Sequence, residues 1–209
     1  MIVLGLDTCL NACSVAVIDG DTVLAHGCEV MARGHQERLA PMAEAVMTEA
    51  GIAFSQLTRI GATVGPGSFT GLRVGIAFAK GLASALSIPA VGIGTLDALA
   101  AEGSGLVAAA IDARRDQIYL QIFDDGVPLM APDVLPIGVA AARLIELTAG
   151  RALTLIGSGG PLLAGVAPGA TLLMPEGCDA RRIARLAAAR ATIPLRPLYL
   201  RAPDAKLPA

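Results

Sequence analysis

GPGSFTGLR, residues 65–73, is the stretch that decides the fold, because it joins a predicted strand (60–64) to a predicted helix (about 70–86). Its three glycines and one proline require a tight turn. Ser68 and Thr70 can each cap the helix that follows. Such a turn directs free backbone N–H groups at one point, which suits an anion, although a well-packed turn without a ligand is an equal alternative. The candidate ligand-binding residues of this turn are Gly65, Gly67, Ser68 and Thr70.

The composition indicates an aliphatic core with apolar surface to spare. The chain has 209 residues, of which 54% are hydrophobic and only 3% aromatic, and its mean hydropathy is +0.64. The core must therefore be built from small aliphatic side chains. Surplus apolar surface on a chain of this size is typical of a protein that binds a partner.

We expect no membrane segment and a cytoplasmic location. Residues 152–175 carry no charge, but five glycines and three prolines divide them into short pieces, which predict a strand, a turn, a short helix and another strand. The N-terminus has no basic region and carries Asp7 early, unlike a signal peptide. The cysteines form no CxxC pair, so we interpret them as buried thiols in a reducing compartment. They are Cys9, Cys13, Cys28 and Cys178.

The basic residues are concentrated at the C-terminal end, although the net charge of the chain is −2. Residues 181–209 contain seven Lys and Arg residues and one acidic residue. A basic end of this kind suits RNA phosphates or an acidic partner, and a solvated helix face is the alternative. The candidate RNA-binding residues are Arg181, Arg182 and Arg185.

The order of predicted elements occurs twice. The first unit has strands at 2–7, 13–19 and 22–30, a helix at 35–50, the strand at 60–64 and the helix at 70–86; the second has strands at 106–112, 118–123 and 127–135, a helix at 138–148 and a strand at 153–156. Two corresponding landmarks, Asp7 with Asp112 and Gly20 with Gly126, are 105 and 106 residues apart. A shared offset indicates duplication of one βββαβα unit. We expect two lobes, residues 1–104 and 105–209.

Outside the repeats, the sequence predicts a strand at 89–93, a helix at 95–102 capped by Thr95, and a last helix at 179–190. The proline-rich residues 194–209 are expected to wrap a surface.

Two aspartates end equivalent strands and are expected to face a cleft between the lobes. Paired carboxylates there suit a divalent cation that bridges the phosphates of a nucleotide. Asp7 and Asp112 are thus candidate cofactor-binding residues, together with Thr8. The alternative is that each carboxylate only ends its strand and accepts hydrogen bonds from loop N–H groups.

The helix after the glycine turn carries small residues at four-residue intervals, which would let another helix approach closely. Packing on the chain's own sheet also favours small residues and is the alternative. The small residues are Gly71, Gly75, Ala79 and Ala83. The apolar face of the preceding helix includes Leu39, Met42 and Val46.

The repeated unit resembles the actin/hexokinase/Hsp70-type (ASKHA) ATPase fold, an α/β fold whose second half is reduced in this chain. Five segments carry a closer resemblance within that fold: LGLDT (4–8), GHQERLAP (34–41), GPGSFTGLRVG (65–75), IDAR (111–114) and PLYLR (197–201). With these segments, the sequence closely resembles the TsaB (YeaZ) family.

The resemblance implies an accessory role in forming threonylcarbamoyladenosine in tRNA. Members of this family pair with a catalytic paralogue, TsaD, and the small ATPase TsaE docks on the pair. The helices at 35–50 and 70–86 would make that heterodimer, and the chain alone would form a homodimer through the same face. Contact with tRNA would come through the complex, and no membrane is involved.

The resemblance also implies that the chain has no catalytic residue and no metal site. TsaD binds its metal through a His-xxx-His motif, but the corresponding residues here are 35–39, HQERL, without the second histidine. ATP-hydrolysing relatives place a glycine after each strand aspartate, where this chain has Thr8 and Ala113. We expect no required cofactor, and at most weak binding of ATP or ADP with Mg²⁺.

Two other functions remain open. A small-molecule kinase or weak ATPase of the same fold would need an ATP site and a roomy substrate pocket. A metallopeptidase is disfavoured, because the chain has only two histidines and no HExxH motif.

Overall fold

A five-stranded mixed sheet forms the first half of the molecule. The computed structural model describes residues 1–191 and 193–201. The strands of this sheet are β1 (Ile2–Asp7), β2 (Ala12–Asp19), β3 (Thr22–Val30), β4 (Arg59–Thr63) and β5 (Ala90–Ile93). Their order is β3-β2-β1-β4-β5; β1, β2 and β3 pair antiparallel, and β4 pairs parallel with β1 and with β5. Each of these strands was predicted from the sequence to within one residue at either end.

The second sheet repeats this strand order. Its strands are β6 (Leu106–Arg114), β7 (Gln117–Asp124), β8 (Val127–Pro128), β9 (Asp133–Pro136), β10 (Leu153–Ile156) and β11 (Thr171–Leu173). Their order is β11-β10-β6-β7-β8, and β9 also pairs with β7. The helices are α1 (His35–Glu49), α2 (Phe69–Leu86), α3 (Thr95–Ala100), α4 (Ile137–Thr148), α5 (Gly160–Leu163) and α6 (Ala180–Ala189). Since α5 has four residues where α2 has 18, the second half is the reduced copy.

Two local predictions were wrong. The predicted strand at 127–135 is two short strands, because Pro128 and Pro132 lack the N–H that a continuous ladder needs. Thr95 does not cap α3: the N-cap is Gly94, and no described residue bonds to the buried Thr95 hydroxyl.

Helices α1 and α2 cover one face of the first sheet. The predicted apolar face of α1 is buried in a core cluster with Leu4, Leu6 and Val15 of β1 and β2. Ser68 is the N-cap of α2, and its Oγ accepts a hydrogen bond from the Gly71 N–H at 3.3 Å, as its position before the helix predicted.

Helix α6 packs on the opposite face of the first sheet. Gly5 of β1 and Gly61 of β4 lie directly beneath it: a Cβ on Gly61 would come within 2.5 Å of the Ala187 Cβ, and one on Gly5 would overlap the Ala180 carbonyl. A side chain at either strand position would push the helix away. With α3, this helix joins a core cluster that also contains Val107 of the second sheet, so apolar packing ties the two halves together.

The chain after α6 runs back along the first sheet. The Ile193 carbonyl accepts a hydrogen bond from the Gly92 N–H (2.8 Å), and the Leu198 N–H donates to the Val64 carbonyl (2.7 Å). The rest of the predicted surface segment, residues 202–209, lies outside the described residues. The lobe boundary at 104/105 stays a prediction.

One helix in the described part of the chain, α2, has the length and composition of a membrane span, with a mean hydropathy of 1.2. Core helices of folded domains meet the same criterion, and the inner face of α2 packs on the first sheet.

Candidate functional site

A cleft of about 570 Å³ opens where the carboxyl ends of strands from both sheets meet. We call it the interlobe cleft. It is lined by residues 9–11, 67–68, 111–114, 119, 158, 174–176 and 201. Of the predicted cofactor-binding residues, Gly67, Ser68 and Asp112 line this cleft.

Asp7 is buried and does not line the cleft. Its Oδ1 accepts hydrogen bonds from the Cys9 N–H (2.9 Å) and the Thr63 hydroxyl (2.6 Å), and its Oδ2 accepts one from the Cys178 N–H (2.9 Å). Burial raises the pKa of the Asp7 carboxyl, and these three hydrogen bonds oppose that shift. The alternative weighed from the sequence applies: Asp7 ends its strand and satisfies nearby N–H groups.

The loop after Asp7 is packed tightly against α2. The Thr8 hydroxyl donates a hydrogen bond to the Gly71 carbonyl at 2.7 Å, and Thr8 is fully buried. A Cβ on Gly71 would overlap the Thr8 carbonyl, which explains the glycine at that position. The space beside the first strand aspartate is therefore filled by the chain's own backbone and side chains.

Asp112, the counterpart of Asp7, does face the cleft. It accepts hydrogen bonds from the Arg114 N–H (2.8 Å) and from the Arg114 guanidinium (3.2 Å), and its own N–H donates to the Ser158 Oγ (3.1 Å). The two equivalent aspartates thus have different surroundings, because only the first is covered by the segment leading into α6.

The other residues predicted around the glycine turn separate in the structure. Gly65 is buried, and a Cβ there would lie 2.6 Å from Cδ1 of Leu72. Thr70, in the first turn of α2, lines another pocket, which lies where α1 and α2 begin. The turn is tied to the loop after β1, since the Ser68 N–H donates to the Cys9 carbonyl at 2.7 Å.

The charges in the cleft balance. Asp112 and Glu176 face Arg114 and Arg201, so the cleft is not a strongly positive cradle for phosphates. Within residues 1–191 and 193–201, no group of three or more His, Cys, Asp or Glu side chains could hold a metal ion. Burial raises the pKa of the Cys9 thiol to about 12, which keeps it protonated and unreactive.

Several cleft residues were not singled out from the sequence. Ser158 follows β10 as Ser68 follows β4, so the repeat itself could have identified it. Tyr119 and Glu176 come from separate segments, and no local pattern marks them. Arg201 ends the segment PLYLR (197–201), which carried the resemblance but did not indicate a cleft residue.

All the residues predicted to contact a partner are buried inside the chain, so the prediction that they form an exposed interface was wrong. They are Leu39, Met42, Val46, Gly71, Gly75, Ala79 and Ala83. The small residues of α2 face the loop after β1: a Cβ on Gly75 would lie 2.6 Å from the Thr8 Oγ1. Packing on the chain's own sheet, the alternative considered from the sequence, explains this stripe.

The candidate RNA-binding arginines lie on α6. Arg181 bonds to the side chain of the N-cap residue Asp179 (2.9 Å), and Arg185 donates to the Asp21 carbonyl at 3.4 Å. Arg182 is exposed. Their role toward RNA stays a prediction.

Two sheets with the same strand order, joined by buried helices across a cleft, define the actin/hexokinase-like class of α/β proteins. A hexokinase of the ROK type from Thermus thermophilus shares this fold, with a TM-score of 0.53 at 16% identity over 90% of this chain and 98% of that one. The chain belongs to the TsaB (YeaZ) family: YeaZ from Pseudomonas aeruginosa is 31% identical over 95% of this chain and 99% of that chain, with a TM-score of 0.80.

Two further comparisons agree with this assignment. The tRNA threonylcarbamoyladenosine biosynthesis protein TsaB of Escherichia coli is 40% identical over 124 residues, which are 57% of this chain. The match spans about half, 53%, of that curated relative. Residues 28–130 match the family model of TsaD, tRNA N6-adenosine threonylcarbamoyltransferase.

Proposed function

We propose that this chain is a non-catalytic subunit that pairs with a TsaD-type paralogue and activates it. The reaction is threonylcarbamoyl transfer to the adenosine next to the anticodon, in tRNAs that read codons starting with A. Membership of the TsaB family and the match of residues 28–130 to the transferase family support this proposal. A TsaE-like ATPase on the pair, tRNA bound through the complex, a homodimer in the absence of the partner and a cytoplasmic location belong to the same proposal.

The observation that carries the proposal is the filled space beside Asp7. An ATPase of this fold needs open backbone beside the first strand aspartate, so that phosphates can approach. Here both carboxylate oxygens of Asp7 accept protein hydrogen bonds, and Thr8 is held against Gly71. A chain with this arrangement is better suited to act through contact with a partner than through nucleotide chemistry.

The outer side of α2 is the surface that suits a partner. Three small residues at four-residue intervals are exposed there: Ala77, Gly81 and Ala85. They adjoin a stripe of half-buried apolar side chains, Val74, Phe78, Leu82 and Leu86. Small residues let another helix approach closely, and the apolar stripe beside them supplies area to bury. We assign the pairing surface to this outer side, in place of the buried residues predicted from the sequence.

The test is threonylcarbamoyl transfer to tRNA in a reconstituted mixture of the TsaD-type paralogue and its ATPase, with and without this chain. We expect transfer to depend on the chain, while the chain alone neither modifies tRNA nor hydrolyses ATP. Equal transfer without the chain would contradict the proposal.

A kinase or weak ATPase is the second candidate, because Asp112 faces a cleft of about 570 Å³. Weak binding of ATP or ADP with Mg²⁺ would use Asp112 and the cleft-facing Gly67 and Ser68. Titration of the isolated chain with MgATP tests it: turnover of ATP by the chain alone would favour this candidate over the scaffold.

Charge reversal at Arg181, Arg182 and Arg185 is expected to weaken tRNA binding by the assembled complex and to leave subunit pairing intact. Each phosphate that no longer meets an arginine lowers the slope of log K against log salt by about 1. Filter binding at several salt concentrations measures the tRNA affinity and its dependence on salt. An unchanged affinity and slope would show that these arginines form only a solvated helix face.

A further inference from the structure

Two half-exposed aromatic rings lie side by side at the start of α2. Phe69 is 50% exposed and Tyr199 is 47% exposed, and the centres of their rings are 5.8 Å apart. The whole chain has four Phe, two Tyr and no Trp, so two exposed rings at one place are a large share of its aromatic residues. Aromatic residues are enriched where proteins bind one another.

These two rings hold the side chain of Arg73 in place. The guanidinium carbon of Arg73 lies 3.8 Å from the centre of the Phe69 ring, and its Nε donates a hydrogen bond to the Tyr199 hydroxyl at 3.3 Å. A guanidinium group stacks favourably on an aromatic face. We call Phe69, Arg73 and Tyr199 the arginine–aromatic cluster. It joins the first turns of α2 to the segment that follows α6.

The cation of this cluster has no ion-pair partner in the described part of the chain. Other arginines there do pair with carboxylates, as Arg151 does with Asp124 and Arg190 with Asp97. Helix α2 contains no acidic residue, and its two charged residues are Arg73 and Lys80. An exposed guanidinium that is already oriented loses little side-chain freedom when it binds an anion, so Arg73 is suited to receive a carboxylate.

The cluster continues the pairing surface on the outer side of α2. Arg73 lies one helical turn before Ala77, the first of the exposed small residues, and Gly81 follows after another turn. A partner helix packed on these small residues would therefore reach Arg73 at one end. It would meet two cations of α2 and no anion, so a carboxylate on the partner's helix is the complementary charge.

The position of the cluster favours a protein over an RNA partner. Unpaired bases also stack on exposed aromatic rings. The cluster, however, leads directly into the apolar stripe of α2 that begins with Val74 and Phe78, and such a stripe is buried by another protein surface.

We propose that Arg73, held by Phe69 and Tyr199, binds an Asp or Glu side chain on the partner's helix and is the main polar anchor of the pairing surface. This inference rests on the proposed pairing with a TsaD-type paralogue, and it names the chemistry by which α2 recognises that partner. Arginine and aromatic residues are among those that contribute most to the affinity of protein interfaces.

The probe is the purified TsaD-type paralogue, titrated by calorimetry into the full chain and its variants. Arg73→Ala is expected to weaken pairing about tenfold, and Arg73→Lys nearly as much, because an ammonium group does not reproduce the fork of N–H donors. Tyr199→Phe keeps the ring but removes the hydrogen bond that orients Arg73, so a loss of about two- to threefold is expected. Arg182→Ala, at an exposed arginine of α6, is the matched control and should pair like the wild-type chain.

A contact with a carboxylate also predicts how pairing depends on salt. The affinity of the wild-type chain should fall as the salt concentration rises, and the affinity of Arg73→Ala should fall less, because that variant lacks the ion pair. Thermal unfolding of each variant checks that the chain is folded, which is expected because Arg73 is exposed.

Three results would overturn the inference, and they have different meanings. Pairing by Arg73→Ala as tight as that of the wild-type chain, while Gly81→Glu still blocks pairing, would remove the anchor and leave the pairing surface in place. Unchanged pairing by Arg73→Ala together with weaker tRNA binding by the assembled pair would assign the cluster to RNA. If the wild-type chain does not pair with the paralogue, the proposed function itself fails, and this inference fails with it.

Discussion

The Asp7→Ala variant is expected to unfold with a free energy about 3–5 kcal/mol lower than that of the wild-type chain. The carboxylate accepts three hydrogen bonds from Cys9, Thr63 and Cys178, all in the interior. An unsatisfied buried donor costs about 1–3 kcal/mol, and the desolvation that the removed carboxylate no longer requires offsets part of the sum. Chemical denaturation measures the difference.

Asp112→Ala is the matched control, because it removes the same side chain at the equivalent position of the second unit. Asp112 is only partly buried, and its partner Arg114 is exposed, so water takes the place of the carboxylate. A decrease below about 1 kcal/mol is expected. Equal decreases in the two variants would contradict the assignment of Asp7 as a buried structural carboxylate.

Asp7→Asn separates the charge from the hydrogen bonds. The amide oxygen can still accept from Cys9 and Thr63, but the NH₂ group then faces the Cys178 N–H, donor against donor. The free energy of unfolding of the Asp7→Asn variant should lie between that of the wild-type chain and that of Asp7→Ala.

The Gly81→Glu variant is expected to weaken pairing with the TsaD-type partner by about 30-fold or more. The position is exposed on the outer side of α2, and no atom lies within 4 Å of where its Cβ would be. The free chain therefore accepts the side chain, and replacing a helical glycine should raise its stability by about 0.5–1 kcal/mol. In the pair, the same carboxylate would be buried without a counter-charge, at a cost of about 2 kcal/mol or more.

Gly138→Glu is the matched control for this substitution. Gly138 lies on α4 in the second half, and its Cβ position is equally open. It should leave pairing unchanged. Pairing and stability are measured separately, by titration calorimetry and by thermal unfolding. If the Gly81→Glu variant pairs as tightly as the Gly138→Glu variant, the partner does not bind the outer side of α2.

A substitution at Gly75 would not locate the pairing surface. Gly75 belongs to the stripe of small residues that the sequence predicted to meet a partner helix. In the structure, a side chain at Gly75 would strike the Thr8 hydroxyl, and Leu6 lies 3.3 Å away. We expect Gly75→Leu to destabilise the chain, so weaker pairing by that variant would carry no information about the interface.

The order and type of most elements followed from local patterns in the sequence. The short runs of apolar residues in the strands, the spacing of the apolar residues in α1 and the Ser68 cap act within a few residues, so they can be recognised without the fold. The duplication followed from two landmark offsets, and the equal strand order of the two sheets agrees with it. The prediction of one strand at 127–135 was wrong because its prolines lack the N–H that a continuous ladder needs, although the apolar pattern suits a strand.

The sequence by itself thus determined the repeated unit, its reduced second copy and its close likeness to the TsaB family. Only the tertiary structure decided which strand aspartate faces the cleft and which side of α2 is free. The Asp7 carboxylate is enclosed by Cys178, 171 residues along the chain, and Gly71 packs on Thr8, 63 residues before it. A stripe of small residues looks the same in sequence whether it faces its own core or a partner, because four-residue spacing places side chains on one face and does not say what covers that face.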